Sequence, residues 1–228
     1  MWASLLEEIP RFFTYYNLIF LLQAGARTIG LSAIGCIIGF VTGFFLAIMR
    51  VSRGRSFLPI RLFSINFVEF FRRVPFLVTL MLVFFICQAA NLQFSVFTVS
   101  MITVCLIASG FIAEIVRAGI ESVNVTQWEA ADVLNFTLAE KLRLVIIPQA
   151  WKVILAPVFS FFLSFIKDTA LASQIGVIEL TYSGKVLNNK GFSAILVFGT
   201  ILIMYFIISY PLALFGRWME RKFAISKH

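Results

Sequence analysis

Long apolar stretches occupy most of this chain, and the charged residues lie mainly in the short segments between them. Residues 28–49, 74–113 and 192–216 contain no charged side chain, and a fourth stretch, 153–178, is apolar apart from one charged pair. A helix needs about 20 apolar residues to cross the hydrocarbon core of a membrane. The stretch 74–113 is long enough for two crossings, with the polar segment 88–93 as the turn. The pattern therefore predicts an all-α integral membrane protein with five spanning helices.

Basic residues cluster in alternate connecting segments, which indicates an orientation in the membrane. Lysine and arginine concentrate on the cytoplasmic side of membrane proteins. The clusters follow the first, third and fifth predicted spans: Arg50, Arg53, Arg55, Arg61, Arg72 and Arg73, then Arg117, Lys141, Arg143 and Lys152, then Arg217, Arg221, Lys222 and Lys227. We therefore expect the N-terminus outside, the C-terminus in the cytoplasm, and residues 126–148 in the cytoplasm. Residues 12–23 are expected to lie at the outer membrane surface.

Composition favours a membrane protein over the other classes that a basic chain suggests. Of 228 residues, 61% are hydrophobic and 13% are charged, which is more apolar surface than a soluble domain of this size can bury. The net charge of +8 fits nucleic acid or anionic lipid in general terms. The basic residues border the apolar runs, which favours lipid headgroups. The dispersed cysteines Cys36, Cys87 and Cys105 indicate neither disulfides nor a metal site.

The residue types needed for catalysis are not grouped in this chain. Its only histidine is His228, and no Ser/His/Asp set is apparent. The nearest match to a nucleotide-binding G-x-x-x-x-G-K-[ST] motif, Tyr182–Val186, has Glu179 where the first glycine is required. We therefore expect no catalytic residues, no metal site and no cofactor on this chain.

Three glycines in the first predicted span lie four residues apart, at Gly35, Gly39 and Gly43. Small residues at this spacing let two helix backbones approach closely. They indicate either tight packing within the helical bundle or a seam between two subunits.

The segment 126–148, called the elbow below, contains two T-x-x-E patterns, Thr126–Glu129 and Thr137–Glu140. In such a capping box the hydroxyl and the carboxylate bond to free amides at a helix start. The patterns predict two short helices, 127–134 and 138–147. Asn135 and Phe136 form the corner between them, and Pro148 marks the end of the second helix or the entry to the next span.

Helical spacing predicts which elbow residues face the bundle. The expected packing residues are Trp128, Ala131 and Leu134 in the first helix and Leu138, Leu142 and Val145 in the second. Val133 and Phe136 are then expected to point toward the polar side, as do Glu140 and Arg143. An exposed apolar pair beside charges is a candidate docking surface. The alternative is a re-entrant loop that simply packs onto the bundle.

The elbow resembles the EAA loop of ATP-binding cassette (ABC) importer permeases. The resemblance rests on Glu129-Ala130-Ala131, a turn residue at Asn135, and the aliphatic residues and proline at Val145, Ile147 and Pro148. Asn135 replaces the usual glycine, and Val145 and Ile147 replace isoleucine and leucine. Further motifs resemble the polar amino-acid uptake (histidine/glutamine-type) family: Glu69-Phe-Phe-Arg72-Arg-Val-Pro75, Ala113-Glu114-Ile-Val-Arg117-Ala-Gly119, Gln127-Trp128-Glu129, and Lys167-Asp168-Thr169-Ala-Leu-Ala-Ser173-Gln-Ile-Gly176.

This resemblance implies a five-helix type I ABC importer transmembrane domain over residues 25–222, in the bacterial inner membrane. Residues 1–24 would form a periplasmic or interfacial segment, and 223–228 a cytoplasmic tail. The implied partners are a homologous permease subunit, two ATPase subunits that carry ATP and Mg, and a periplasmic substrate-binding protein. The elbow would be the coupling helix that contacts the ATPase, through Glu129, Ala130, Ala131, Asp132, Asn135 and Phe136.

The resemblance also implies a substrate pathway for a polar amino acid or an amino-acid-like solute. Its candidate residues are Lys167, Asp168, Thr169, Ser160 and Phe161. Family members often carry an amide and an acid where this chain has Ser160 and Phe161. Either the solute is recognised differently, or a second, non-identical permease supplies the site, which favours a heterodimer. Lys167 and Asp168 could instead pair with other helices.

Two other classes of protein remain for comparison. An intramembrane enzyme needs the catalytic groups that are not apparent here. An ATP-independent channel or ion-coupled transporter does not need a helical elbow in the cytoplasm. Two further charged sets, Glu114 with Arg117 and Glu69 with Arg72 or Arg73, are interpreted as structural pairs along their helices.

Overall fold

A computed structural model describes residues 2–52 and 57–223. All regular structure in these residues is helical. The first helices are α1 (Trp2–Phe12), α2 (Tyr15–Val51), α3 (Leu58–Arg73), α4 (Phe76–Ala89) and α5 (Val96–Glu121). The later ones are α6 (Val125–Val133), α7 (Leu138–Glu140), a π-helical turn (Lys141–Ile146), α8 (Ile147–Asp168), a 3₁₀ segment (Thr169–Ile175), α9 (Leu180–Asn189) and α10 (Ala194–Phe223). Arg53, Arg55, Lys227, His228 and most of the predicted tail 223–228 lie outside the described residues.

Four helical segments are long and apolar enough to cross a membrane, and the bent pair α3–α4 makes five if it counts as one span. The prediction of five spans is confirmed in that sense. The second span is interrupted because Pro75 disfavours helical geometry at the preceding residue, and Val74 is extended at φ −87° and ψ 132°. The predicted turn at 88–93 is also confirmed, since α4 ends at Ala89 and Asn91 is left-handed at φ 53°.

The second elbow helix does not end at Pro148, so this proline marks the entry to the next span, the second of the two alternatives that the sequence left open. One helical segment runs from Leu138 to Ile175 through the π turn and α8. Pro148 is the second residue of α8. A proline ring meets the carbonyl four residues earlier in a regular helix, here that of Leu144. The wider π turn around Leu144 relieves this clash, so the helix continues into the span.

The chain forms two compact units. The first contains the residues up to Ile34, Phe76–Val104 and Leu163–Leu212. Its core consists of apolar side chains from α1, α2, α9 and α10: Phe12, Leu21, Leu180, Leu187, Val197 and Ile201. The Glu8 carboxylate accepts a hydrogen bond from the Ser193 amide at 2.9 Å, at the start of α10. A negative charge is favourable at a helix N-terminus, so Glu8 fixes α1 to this core.

The second unit contains Gly35–Pro75, Cys105–Phe162 and the residues from Ala213 onward. Within it α2 packs closely against α5. A Cβ atom built on Gly39 would lie 2.5 Å from the Ala108 Cβ, and one on Gly43 would lie 2.8 Å from the Ser109 carbonyl oxygen. At these two positions the glycine pattern therefore serves packing within the chain, the first of the two alternatives.

Candidate functional site

The first helix of the elbow belongs to α6, whose N-terminal cap is Asn124. The Asn124 Oδ1 accepts hydrogen bonds from the Thr126 amide at 3.0 Å and from the Thr126 hydroxyl at 3.1 Å. Asparagine is among the preferred capping residues, and α6 starts at Val125. The predicted capping box at Thr126–Glu129 is therefore wrong. The usable signal was Asn124 itself, two residues upstream.

The corner of the elbow has the predicted left-handed residue. Asn135 has φ 57°, a conformation that asparagine tolerates better than most residues. The Phe136 amide donates to the Ala131 carbonyl at 3.1 Å, and the Asn135 amide donates to the Asp132 carbonyl at 2.9 Å. These two bonds form a Schellman motif, which satisfies the last carbonyls of a helix. The sequence prediction of a tight corner at Asn135 is confirmed.

The second capping box is also confirmed. The Thr137 amide donates to Glu140 Oε2 at 2.7 Å, and the Glu140 amide donates to the Thr137 hydroxyl at 3.4 Å. An ion pair between Lys141 and Asp132 joins the two arms of the elbow. The cap and the ion pair make the corner a defined structure.

The exposed surface of the elbow is apolar at its tip. Val133 is 81% exposed and Leu134 is 64% exposed. The exposure of Val133 was expected, but Leu134 was expected to pack, because helical spacing places it beside the buried Ala131. Leu134 is the C-terminal cap of α6, so the chain has already left the helical register there. Phe136, expected to project, is half-buried.

The six candidate ATPase-contact residues are not equally accessible. Glu129, Ala130, Asp132 and Asn135 are exposed. Ala131 is 1% exposed, and its carbonyl holds the corner. The accessible part of the predicted contact surface is therefore polar, beside the apolar tip of Val133 and Leu134.

The candidate substrate residues at the end of α8 lie in the first unit. The side chains of Lys167 and Asp168 are exposed, whereas Thr169 is buried. The Thr169 hydroxyl lies 3.1 Å from the Ser32 hydroxyl. Neither Lys167 nor Asp168 forms a salt bridge with another described residue. The interpretation of these charges as ion-pair partners for other helices therefore finds no salt bridge in the described part of the chain.

A cavity of about 370 Å³ adjoins Lys167 in the same unit. Its lining combines one lysine, one tyrosine and one serine with apolar side chains: Lys167, Ala170, Leu202, Tyr205, Phe206 and Ser209. A few polar groups in an apolar cavity are typical of small-molecule sites. The other two candidate substrate residues, Ser160 and Phe161, belong to the second unit, where the Phe161 ring stacks on Phe111 at 5.3 Å.

Glu179 is a buried carboxylate that no sequence motif identifies as a candidate. It caps α9, accepting hydrogen bonds from the amides of Thr181 at 2.9 Å and Tyr182 at 2.7 Å. The Tyr205 hydroxyl donates to it at 3.1 Å. Burial raises the pKa of the Glu179 carboxyl, against the lowering effect of these bonds. Tyr205 thus connects the buried carboxylate to the cavity wall, a contact that sequence spacing does not reveal.

The predicted helix pairs are confirmed. Glu114 and Arg117 bond at 2.5 Å on α5, and Glu69 and Arg73 bond at 2.8 Å on α3. Both sets also make contacts between helices, which spacing along the sequence does not predict.

Comparison with known proteins identifies the family of the chain. The profile of the family described as "Binding-protein-dependent transport system inner membrane component" matches residues 39–225. The chain belongs to this family. The L-cystine transport system permease protein TcyB of Bacillus subtilis is 35% identical over 196 residues, which are 86% of this chain and 82% of TcyB.

Solved structures agree with this assignment. An amino acid ABC transporter crystallised with histidines gives a TM-score of 0.83 at 29% identity, covering 96% of this chain and 97% of that one. An inward-facing form of the MetNI methionine ABC transporter gives 0.77 at 18% identity over 92% and 99% of the two chains, which shows the fold alone. The protein is thus a multi-pass membrane permease component of the ABC amino-acid importer family, with the type I importer fold.

Proposed function

We propose that this permease moves a polar amino acid or an amino-acid-like solute across the bacterial inner membrane, by alternating access coupled to ATP hydrolysis on a partner chain. The observation that supports this most is the elbow. In a chain of this family, a hydrogen-bonded corner with an exposed apolar tip follows one apolar span and leads directly into the next. An element of this kind can transmit a movement of a bound partner to the spans on either side.

The elbow is the proposed coupling helix, and the ATPase subunits with their ATP and Mg are its proposed partners. The contact surface consists of Glu129, Ala130, Asp132 and Asn135 with the tip at Val133 and Leu134, while Ala131 and Phe136 support it from inside. Exposed glutamate and aspartate can pair with basic residues of an ATPase groove. We propose that the elbow and the C-terminus lie in the cytoplasm and the N-terminus outside, as the distribution of basic residues favours.

The proposed solute pathway includes Lys167, Asp168 and Thr169, together with Ser160 and Phe161. Among the described residues that line the 370 Å³ cavity, Lys167 is the only one with a charged side chain, and it can attract the carboxylate of an amino acid there. The acidic group that would hold the solute ammonium is absent from position 161. We therefore propose that a homologous, non-identical permease supplies it, and that a periplasmic binding protein delivers the solute.

Reversal of charge at the elbow tests the coupling surface. Glu129→Arg, expressed with the ATPase, the second permease and the binding protein, is expected to lose ATPase co-purification and ATP-driven uptake. The matched control is Glu7→Arg, the same change at an exposed position of α1, on the side proposed to face outward. Retention of assembly and uptake in Glu129→Arg would show that the elbow is not the coupling helix.

Deletion of the ATPase tests the class of transporter. Concentrative uptake that continues without the ATPase would indicate a channel or an ion-coupled transporter instead. Calorimetric titration of the binding protein against a panel of amino acids, with cystine and opines included, then identifies the solute. Failure of every amino acid and opine to bind would contradict the proposed solute class.

A further inference from the structure

One carboxylate joins three helices next to the start of the elbow. The Glu114 side chain on α5 bonds to Arg50 at the end of α2 at 2.8 Å. It also contacts Arg72 near the end of α3 at 3.4 Å. On its own helix it is held by Arg117, with Nη2 to Oε1 at 2.5 Å and Nε to Oε2 at 3.1 Å. Glu114 is therefore shared by three guanidinium groups from three helices.

A second carboxylate extends this arrangement. Glu69 on α3 lies 3.8 Å from Arg50, 3.9 Å from Arg72 and 2.8 Å from Arg73. The group, called the arginine–glutamate cluster below, comprises Arg50, Glu69, Arg72, Arg73, Glu114, Arg117 and Glu121. Arg50 and Arg72 each lie between the two carboxylates, so each can change partner through a shift on the order of an ångström.

The cluster is sufficiently enclosed for its charges to interact strongly. The side chains of Arg50, Glu114 and Arg117 are 13%, 20% and 24% exposed. Exposed ion pairs are worth little, but partly buried charges are less screened, and an unpaired one is costly. Removal of the Glu114 charge would leave three guanidinium groups facing one another.

Its place in the chain links the cluster to the elbow. Arg117 pairs with Glu121, the last residue of α5. Asn124, which caps the first helix of the elbow, follows three residues later. A displacement of the elbow therefore reaches the cluster through one short connection.

The use of charged instead of apolar side chains in the arginine–glutamate cluster also indicates what the cluster does. Apolar side chains can hold three helices together as well as buried ion pairs do, and often better. Apolar packing, however, fits one arrangement, whereas two carboxylates that share the same two arginines can stay paired while α3 shifts along α5. Such a joint suits helices that must move relative to one another and remain connected.

We propose that the arginine–glutamate cluster is an exchange joint, in which Arg50 and Arg72 pass between Glu69 and Glu114 as the elbow moves, so that α2 and α3 follow α5. Its members are positioning residues, since they act through the helices and not on the solute. This inference rests on the proposed coupling of the elbow to an ATPase, and it adds which contacts carry that movement into the spans.

The test measures coupling rather than stability. The permeases, the ATPase and the binding protein are reconstituted in proteoliposomes. Uptake of a ¹⁴C-labelled mixture of the protein amino acids and cystine is compared with phosphate release. We expect Glu114→Gln and Arg50→Gln each to lower the amount of solute taken up per ATP at least about fivefold, while ATP hydrolysis persists. The matched control is Arg61→Gln, the same change at an exposed position of α3 outside the cluster.

Two further variants separate coupling from simple folding. Arg50→Lys keeps the charge, and we expect it to retain most of the solute uptake per ATP that Arg50→Gln loses. The double variant Glu114→Gln/Arg50→Gln is expected to be no worse than the worse single change, because members of one network are not additive. If Glu114→Gln does not assemble, Arg50→Gln and Arg50→Lys decide the question, since Glu114 then keeps two partners.

Each outcome decides between the proposals. If Arg50→Gln leaves the amount of solute taken up per ATP unchanged, the exchange joint is overturned and the importer function remains intact. This includes the case in which uptake and hydrolysis both fall in proportion. Absence of ATP-driven uptake by the unmodified complex would refute the importer function and the exchange joint with it.

Discussion

Gly43 on α2 rests against the backbone of α5, and its replacement by alanine measures how close this approach is. The added Cβ would lie 2.8 Å from the Ser109 carbonyl oxygen, 2.9 Å from the Ala113 amide nitrogen and 3.2 Å from the Ile112 Cβ. The first two are backbone atoms of α5, which cannot rotate away as a side chain can. The two helices must therefore separate to admit the methyl group.

Three contributions determine the change in the free energy of unfolding, two that lower it and one that raises it. Insertion of a methyl group into a close-packed interface costs about 1–3 kcal/mol. Separation of the helices also weakens the 2.5 Å bond between the Thr42 and Ser109 hydroxyls, worth about 1 kcal/mol. Alanine regains about 1 kcal/mol over glycine within a helix. We expect Gly43→Ala to lower the free energy of unfolding by about 1–3 kcal/mol.

Gly30 on the same helix provides the matched control. No described atom other than its helical neighbours lies within 4 Å of a Cβ built there. Gly30→Ala is therefore expected to raise the free energy of unfolding by about 0.5–1 kcal/mol, through helix propensity alone. The same substitution in one helix thus has opposite signs at the two positions.

Unfolding of the purified protein by sodium dodecyl sulfate in mixed micelles measures both changes. Loss of ellipticity and tryptophan fluorescence follow the transition, from which the free energies of the variants are compared. A Gly43→Ala variant as stable as Gly30→Ala would refute the close packing of α2 on α5. It would return the glycine pattern to its alternative, a seam between subunits.

Three further changes have expected outcomes in the same unfolding assay. Asn135→Val should lower the free energy of unfolding by about 1–2 kcal/mol, because a β-branched residue disfavours the left-handed backbone; Asn135→Gly should not, and equal losses would contradict a φ-dependent cost. Thr137→Ala should cost about 1 kcal/mol by removing the cap, and no loss would mean that the capping box contributes nothing. Burial raises the pKa of Glu179 above its ordinary value of 4.5, so folding takes up a proton between 4.5 and the raised pKa. Stability should fall as pH rises through that window, Glu179→Gln should flatten this dependence, and an unchanged profile would show that Glu179 does not titrate there.

The spans and the corner of the elbow follow from local sequence because their causes lie within a few residues. Apolar length determines which segments can cross a membrane. The corner needs only Asn135 and its own backbone bonds. The second capping box closes between Thr137 and Glu140. Each of these contacts spans at most five residues, so the sequence alone predicted them.

Local rules failed where two of them competed for the same position. Threonine and asparagine are both common N-terminal capping residues. The residue that acts as the cap is Asn124, because α6 starts at Val125. Leu134 has the helical spacing of a packing residue, yet it is exposed, because the helix ends just before it. Helical spacing does not show at which residue a helix ends, so the exposed tip of the elbow could only be partly predicted.

An α-helical membrane protein with a structured elbow can be predicted from the sequence alone, because apolar length, turn residues and caps act locally. Which distant residues meet is known only from the folded protein. Arg50 and Glu114, 64 residues apart, share a bond, and Gly43 lies against the α5 backbone. Partners of this kind depend on how helices pack against one another. That packing is a property of many side chains together, and no periodicity along the chain specifies it.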